Sequence, residues 1–172
     1  IVVTYKSQKF IYKAISSLRA STKKAGIPFE LIVVANDRDD YQFGNIKVIK
    51  IRNPRNFGYA KAANIGAKHA KGNWFLFFNP DILVNINAIK FLSKYFKDKK
   101  TGIIGPKILN LNGSLQFSQL AEPNLFNTFI EQSYLYKLFP TLFGHPQADK
   151  RLYLKSSFVD ALAGTFFLVR SE

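Results

Sequence analysis

Gly72-Asn73-Trp74-Phe75-Leu76-Phe77-Phe78-Asn79-Pro80-Asp81-Ile82-Leu83-Val84 is the stretch that decides how this chain is read. The apolar run from Trp74 to Phe78 has the length of a strand and stops at Asn79-Pro80-Asp81, so a buried strand carries an amide and a carboxylate to its carboxyl end. Open α/β sheets bind ligands at that end. Pro80 has no N–H for a ladder and a fixed φ, which ends the strand and sets the direction of Asp81. A carboxylate beside an amide suits a hard divalent ion that also takes phosphate oxygens and water. The same residues are ordinary turn punctuation, and a turn that caps the following helix is the competing reading.

Toward the amino end, Ile1 to Tyr5 reads as a strand, and Ile11, Ala14, Ile15 and Leu18 then recur at helical spacing. Lys9, Lys13, Arg19 and Lys23 lie off that stripe and read as a solvated face. Phe29 to Val34 is a second β-branched run, ending in Ala35-Asn36-Asp37-Arg38-Asp39-Asp40. The β-α-β order predicts parallel strands, with a right-handed crossover bringing these polar groups close to Thr4 and Tyr5. Ile46 to Ile51 is a third strand, and Asn56 is placed to cap the helix after it. On that helix Ala60, Ala63, Asn64, Ala67 and Ala70 form a stripe of small residues. Asn64, if buried, either ties down a loop or faces a ligand. Arg52 and Arg55 beside the helix start are either a pyrophosphate site or a solvated pair.

Toward the carboxyl end, Ile89, Leu92, Tyr95 and Phe96 describe an amphipathic helix. Thr101 to Ile108 reads as a strand that Gly105-Pro106 bends or ends, and Asn112-Gly113 signals a two-residue hairpin turn. From Leu125 to Phe143 the chain turns aromatic. Phe126, Phe129, Ile130 and Ser133 keep a helical period, but the apolar surplus marks an acceptor groove or a membrane-facing patch as readily as core. Asp160 among apolar neighbours is costly unless paired, which makes it a candidate site residue. Thr165 to Val169 is a last strand, and His69 and His145 read as surface residues.

A chain of 172 residues, 47% of them hydrophobic, buries a real core and is expected to form one domain. It has no cysteine, hence neither disulfides nor thiolate metal sites. No apolar run approaches the ~18 residues that span a bilayer. Ile1 opens directly in a strand and Arg170-Ser171-Glu172 follows another, so the chain is expected to be part of a longer product. The formal charge of +14 favours phosphate-bearing partners: nucleotide, nucleic acid or anionic lipid. A basic nucleic-acid- or anionic-membrane-binding domain without catalysis is therefore the rival to an enzyme, although no nucleic-acid motif is present and no nucleic-acid partner is expected. A nucleotidyltransferase would carry a glycine-rich basic loop after the first strand, and Lys6-Ser7-Gln8-Lys9 is not one.

Val2-Val3-Thr4-Tyr5 with Leu31-Ile32-Val33-Val34-Ala35-Asn36, then Asn56-Phe57-Gly58-Tyr59-Ala60 with Asn64-Ile65-Gly66, then Gly72 with Phe78-Asn79-Pro80-Asp81, stand in an order that resembles the inverting family 2 glycosyltransferases, in particular the rhamnosyltransferase-like branch that builds bacterial surface polysaccharides. Gly113-Ser114-Leu115-Gln116, Val159-Asp160 and Gly164-Thr165-Phe166-Phe167-Leu168-Val169-Arg170 are similar to that branch as well. The resemblance implies an α/β GT-A fold: a Rossmann-like, mostly parallel sheet flanked by helices, with a small antiparallel excursion. Residues 1–172 would be a single nucleotide-sugar-binding domain cut short at its carboxyl end, with an aromatic-rich acceptor-side segment at about 120–157.

The resemblance further implies a hexosyltransferase that uses a dTDP- or UDP-sugar, a divalent metal (Mg or Mn) and a saccharide or lipid-linked acceptor. Thr4, Tyr5, Asn36, Asp37, Asn56, Gly58, Asn64, Asn79 and Asp81 would bind the donor, Asp81 would reach the metal, and Asp160 would touch donor sugar or acceptor. The expected location is cytoplasmic, peripheral at the inner face of the cell membrane. Two departures stand out. Ala35 occupies the place of a usual Asp, which leaves base recognition to Asn36, Asp37 or Asp39. The usual acidic pair holding the catalytic base would lie beyond Glu172, so no residue here is assigned that role.

Overall fold

The computed structural model describes residues 1–38, 40–44, 46–120, 125–139 and 153–171. In chain order its elements are β1 (Val2–Thr4), α1 (Gln8–Ala25), β2 (Leu31–Ala35), β3 (Val48–Arg52), α2 (Tyr59–Ala67), β4 (Trp74–Phe78), α3 (Ala88–Leu92), β5 (Ile103–Ile104), β6 (Ile108–Leu109), β7 (Leu115–Gln116), β8 (Gln119–Leu120), α4 (Leu125–Gln132), α5 (Leu135–Leu138), β9 (Ala161–Leu162) and β10 (Phe166–Arg170). They fall into two units, Ile1–Pro106 with Gly164–Glu172, and Lys107–Ala163.

In the first unit β1 pairs with β2 and β2 with β3, both in parallel. The free edge of β1 meets β4: the Ile1 nitrogen donates to the Leu76 carbonyl at 2.7 Å, and the Phe78 amide donates to the Ile1 carbonyl at 3.4 Å. One residue bonding to the two neighbours of its opposite number is the parallel pattern. β10 runs antiparallel between β4 and β5. The order is therefore β3-β2-β1-β4-β10-β5, the expected mostly parallel sheet with one reversed strand inside it.

Every residue of β1 and β2 is buried, as an apolar run covered on both faces must be. α1 buries the predicted Ile11, Ala14, Ile15 and Leu18 and ends at Gly26, whose φ of 68° lets Gly26 and Ile27 donate to the Lys23 and Thr22 carbonyls. α2 differs from the expected stripe. Ala62, Ala63 and Gly66 are buried and Ala67 and Ala70 pack against the core, whereas Ala60 and Asn64 are exposed. Alanine on nearly every face leaves no hydrophobic contrast to set the phase. Close approach sets it instead, because a Cβ on Gly66 would lie 2.6 Å from Ile1 Cγ2 and 3.0 Å from Val34 Cγ2.

The helix predicted after β4 shortens to α3 and a 3₁₀ turn at Ser93–Tyr95. This segment is tied to α1, where Ser17 Oγ accepts from the Val84 amide at 2.9 Å and Ser21 Oγ from the Ile89 amide at 3.2 Å. At the amino edge of the sheet Glu30 accepts from the amides of Lys71 and Gly72, and Arg170 stacks on Trp74 at 4.7 Å.

In the second unit β6 and β7 form the expected antiparallel hairpin. Its turn is not the two-residue type. The Gly113 amide donates to the Asn110 carbonyl and the Asn110 amide to the Ser114 carbonyl, and of the turn residues Gly113 alone has positive φ, 80°. That is a three-residue loop closed by a glycine bulge. β8 pairs antiparallel with β9, and the Tyr153 hydroxyl accepts from the Ser118 and Gln119 amides. α4 buries Ile130 but leaves Phe126 and Phe129 more than half exposed, so the helical period there does not mark a core stripe. Asp39, His145 and the 140–152 part of the aromatic stretch lie outside the described residues.

Candidate functional site

Because β1, β2, β3 and β4 run parallel, their carboxyl ends share one edge of the sheet. The loops after them are bonded to one another. The Asn36 amide donates to the Thr4 carbonyl and the Asn53 amide to the Ala35 carbonyl, each at 2.9 Å. The reversed strand β10 starts at this same edge, where the Asn79 amide donates to the Thr165 carbonyl at 2.9 Å.

Asp37 is held at that edge. Its Oδ2 accepts from the main-chain amide of Lys6 and, at 2.9 Å, from the Tyr41 hydroxyl, which itself accepts from the Ser7 amide at 3.2 Å. Lys6 takes a left-handed φ of 52° to present its amide. Tyr41 is buried against Phe43, and that burial raises its phenol above its usual value. Thr4 is fully enclosed, and its hydroxyl makes no hydrogen bond among the described residues. Tyr5, next in the chain, is exposed, with its amide donating to Ser7 Oγ at 3.2 Å.

Asn36 is buried and occupied. Its Oδ1 accepts from Asn53 Nδ2 at 2.8 Å and from the Phe57 amide at 3.4 Å, and its Nδ2 donates to the Gly58 carbonyl at 3.2 Å. One side chain thus fastens the loop that leads into α2. Asn56 does not cap α2. It accepts from the Gly58 amide at 2.8 Å in a local turn, and Gly58, at φ 77°, stands at the cap position. Among the described residues no side chain caps the first turn of α2. Tyr59 donates its hydroxyl to the Gly164 carbonyl at 3.2 Å and so fastens the start of β10 to α2.

Asp81 is exposed at the carboxyl end of β4, and its carboxylate bonds to none of the described residues. The Asn79 carbonyl accepts from the Ile82 amide at 3.2 Å, so a turn is present. The capping alternative is not, since α3 begins seven residues beyond Asp81 at Ala88, with Asn87 at its cap. Among the described residues no three His, Asp or Glu side chains gather to hold a metal ion. A lone carboxylate of this kind suits an ion that takes most of its ligands from phosphate oxygens and water, as magnesium and manganese do.

Comparison with known proteins adds to this geometry. Residues 1–160 match the family described as Glycosyl transferase family 2. The chain belongs to that family. The poly(ribitol-phosphate) beta-N-acetylglucosaminyltransferase TarS of Staphylococcus aureus is 26% identical over 152 residues, a match covering 82% of this chain and 26% of TarS. The chain thus spans about a quarter of the length of the curated relatives it matches. Solved structures with the same fold include TarS 1–349 (TM-score 0.57, 23% identity, 71% of this chain, 38% of that one). Another is the Pyrobaculum calidifontis mannosyltransferase PcManGT in complex with GDP-Man and Mn2+ (TM-score 0.53, 17% identity, 63% of this chain, 34% of that one). The fold is GT-A, as expected from the sequence.

In this family 2 chain the sheet edge gathers Thr4, Tyr5, Asn36, Asp37, Asn56, Gly58, Asn79 and Asp81. Asn64 is exposed on α2, so the burial that would have required a partner is absent. Asp160 is exposed in the second unit, which removes the burial cost that singled it out. Sequence reading missed Tyr41, Asn53 and Tyr59. The first two sit in stretches without period, and Tyr59 lies in a motif whose sequence gives no sign of its bond to the distant Gly164.

Proposed function

We propose that this family 2 domain binds a nucleoside-diphosphate sugar across the carboxyl edge of its sheet and serves an inverting transfer of that sugar to a saccharide or lipid-linked acceptor of the bacterial cell surface. The observation that carries the reading is Asp81, a carboxylate that bonds to none of the described residues and stands just past the end of β4, the strand beside β1, whose own end adjoins Asp37. Asp37, fixed by Lys6 and Tyr41, is the group offered to the ribose hydroxyls or base, while Asn36 acts from beneath by holding the loop. The uncapped first turn of α2 with Arg55 beside it supports a diphosphate there. Arg52 is drawn partly to Asp40, at 3.9 Å.

Asp81, aided by the half-buried Asn79, would hold Mg or Mn against the diphosphate. When bound, the ion supplies positive charge to the leaving phosphates. The chain's own residues bind and orient the donor, and none of them is assigned as the base that deprotonates the acceptor. TarS complexes with UDP-GlcNAc and UDP make UDP the first nucleotide to test, with dTDP and a rhamnosyl donor, suggested by the sequence resemblance, as the second.

Calorimetric titration with UDP and with dTDP, with and without Mn2+, tests the proposal. Binding that needs the metal and is lost in Asp81→Ala is expected. Metal-independent binding of DNA with a steep salt dependence, and no nucleotide binding, would overturn it.

A further inference from the structure

The layer made by α1 and residues 82–97 is strongly one-signed, with Asp81 and Asp98 just outside that span. α1 carries Lys9, Lys13, Arg19, Lys23 and Lys24, the 82–97 segment carries Lys90, Lys94 and Lys97, and neither contains an Asp or Glu. All of these cations are exposed. Large apolar side chains stand exposed among them: Leu83 at 60%, Phe91 at 59%, Phe10 at 48% and Ile86 at 42%. Lys94 lies over the Phe91 ring at 4.9 Å and Lys9 over Phe10 at 5.6 Å.

Phe10, Lys13, Ser17, Ser21 and Lys24 recur at spacings of three and four, which puts them on one flank of α1. Ser17 and Ser21 bond the 82–97 segment, so that flank adjoins it and the two elements form one surface. A merely solvated face needs neither the lack of acids nor the leucine, isoleucine and phenylalanine exposed between the cations. Apolar side chains that enter the headgroup region, ringed by lysines that meet anionic headgroups, are what a bilayer surface selects. By contrast, residues 125–138 contain one acid, Glu131, and one base, Lys137, and so have no net charge.

We propose that the α1 and 82–97 layer of the first unit is a docking surface for an anionic lipid bilayer. The proposal is independent of the donor site, since it involves none of the residues assigned there.

Co-sedimentation with phosphatidylcholine vesicles, with and without phosphatidylglycerol, tests it. The chain is expected to pellet with the anionic vesicles only. Lys90→Gln/Lys94→Gln is expected to weaken partitioning by about tenfold or more. Leu83→Ser/Phe91→Ser is expected to weaken it comparably, with unchanged circular dichroism and unchanged UDP titration. Phe126→Ser/Phe129→Ser on α4 is expected to change nothing. The proposal falls if neutral and anionic vesicles bind alike, if the α4 variant rather than the Leu83/Phe91 variant releases the protein, or if soluble heparin binds as well as vesicles do and the Leu83/Phe91 variant binds like the parent.

Discussion

The main-chain amide of Lys6 donates to the carboxylate of Asp37 from a left-handed backbone, φ 52°, and so joins the ends of the first two strands. A lysine in that region carries roughly 1–2 kcal/mol of strain that glycine does not. Lys6→Gly is expected to keep the contact and raise unfolding free energy by up to about 1 kcal/mol, glycine's greater freedom in the unfolded chain offsetting part of the relief. Lys6→Val, β-branched, is expected to lower it by more than about 1 kcal/mol. Denaturant unfolding of the three proteins checks this, and equal midpoints would show that the backbone is unstrained.

Asn36→Ala removes the fastening between β2 and the α2 loop and leaves the buried Asn53 amide group without its acceptor. A loss of about 2–4 kcal/mol is expected from the broken bonds and the orphaned donor. Hydrogen exchange should locate the loosening at Phe57 and Gly58 first. A loss spread evenly over the sheet would contradict the role given to this side chain.

Gly66→Ala sets two effects against each other. Alanine improves helix propensity by about 1 kcal/mol, while its methyl would stand 2.6 Å from Ile1 Cγ2, closer than real Cβ atoms come, and a tight 3.0 Å from Val34 Cγ2. Overpacking is expected to win, for a net loss of about 1–2 kcal/mol in thermal or denaturant unfolding. A stabilised variant would mean that α2 can move away from the sheet.

Burial raises the phenols of Tyr41 and Tyr59 above their ordinary value of 10.0. The folded chain therefore keeps protons that the unfolded chain releases, so this contribution is complete below pH 10 and is lost as pH rises through the folded values. Unfolding free energy is expected to fall above that point, and less steeply in Tyr41→Phe. An unchanged alkaline slope in that variant would contradict the assignment for Tyr41.

The strands were legible because buried parallel strands write themselves as continuous apolar runs: Val2–Thr4 and Trp74–Phe78 lie inside the stretches read from the sequence, and Leu31–Ala35 runs one residue past the Phe29–Val34 run. The place of Asp81 was legible for the same reason, since a parallel sheet sends every such run to one edge. The phase of α2 was not, because its alanines offer no contrast and a contact at Gly66 decides it. The reversal of β10 was not, because its partner β4 is distant in the chain and antiparallel pairing leaves no local mark. The hold on Asp37 was hidden in the same way: Tyr41 looks like any loop tyrosine until the fold brings it against Ser7 and Asp37.

The claim that one cleft gathers the ends of β1, β2 and β4 is tested most directly by paramagnetic broadening of backbone amide resonances on adding Mn2+ together with UDP. Asp81, Tyr5 and Asp37 are expected to broaden together, while Glu30 and Gly72, at the opposite edge of the sheet, stay sharp. Broadening centred on the amino edge, or at Asp81 with Tyr5 and Asp37 untouched, would contradict it.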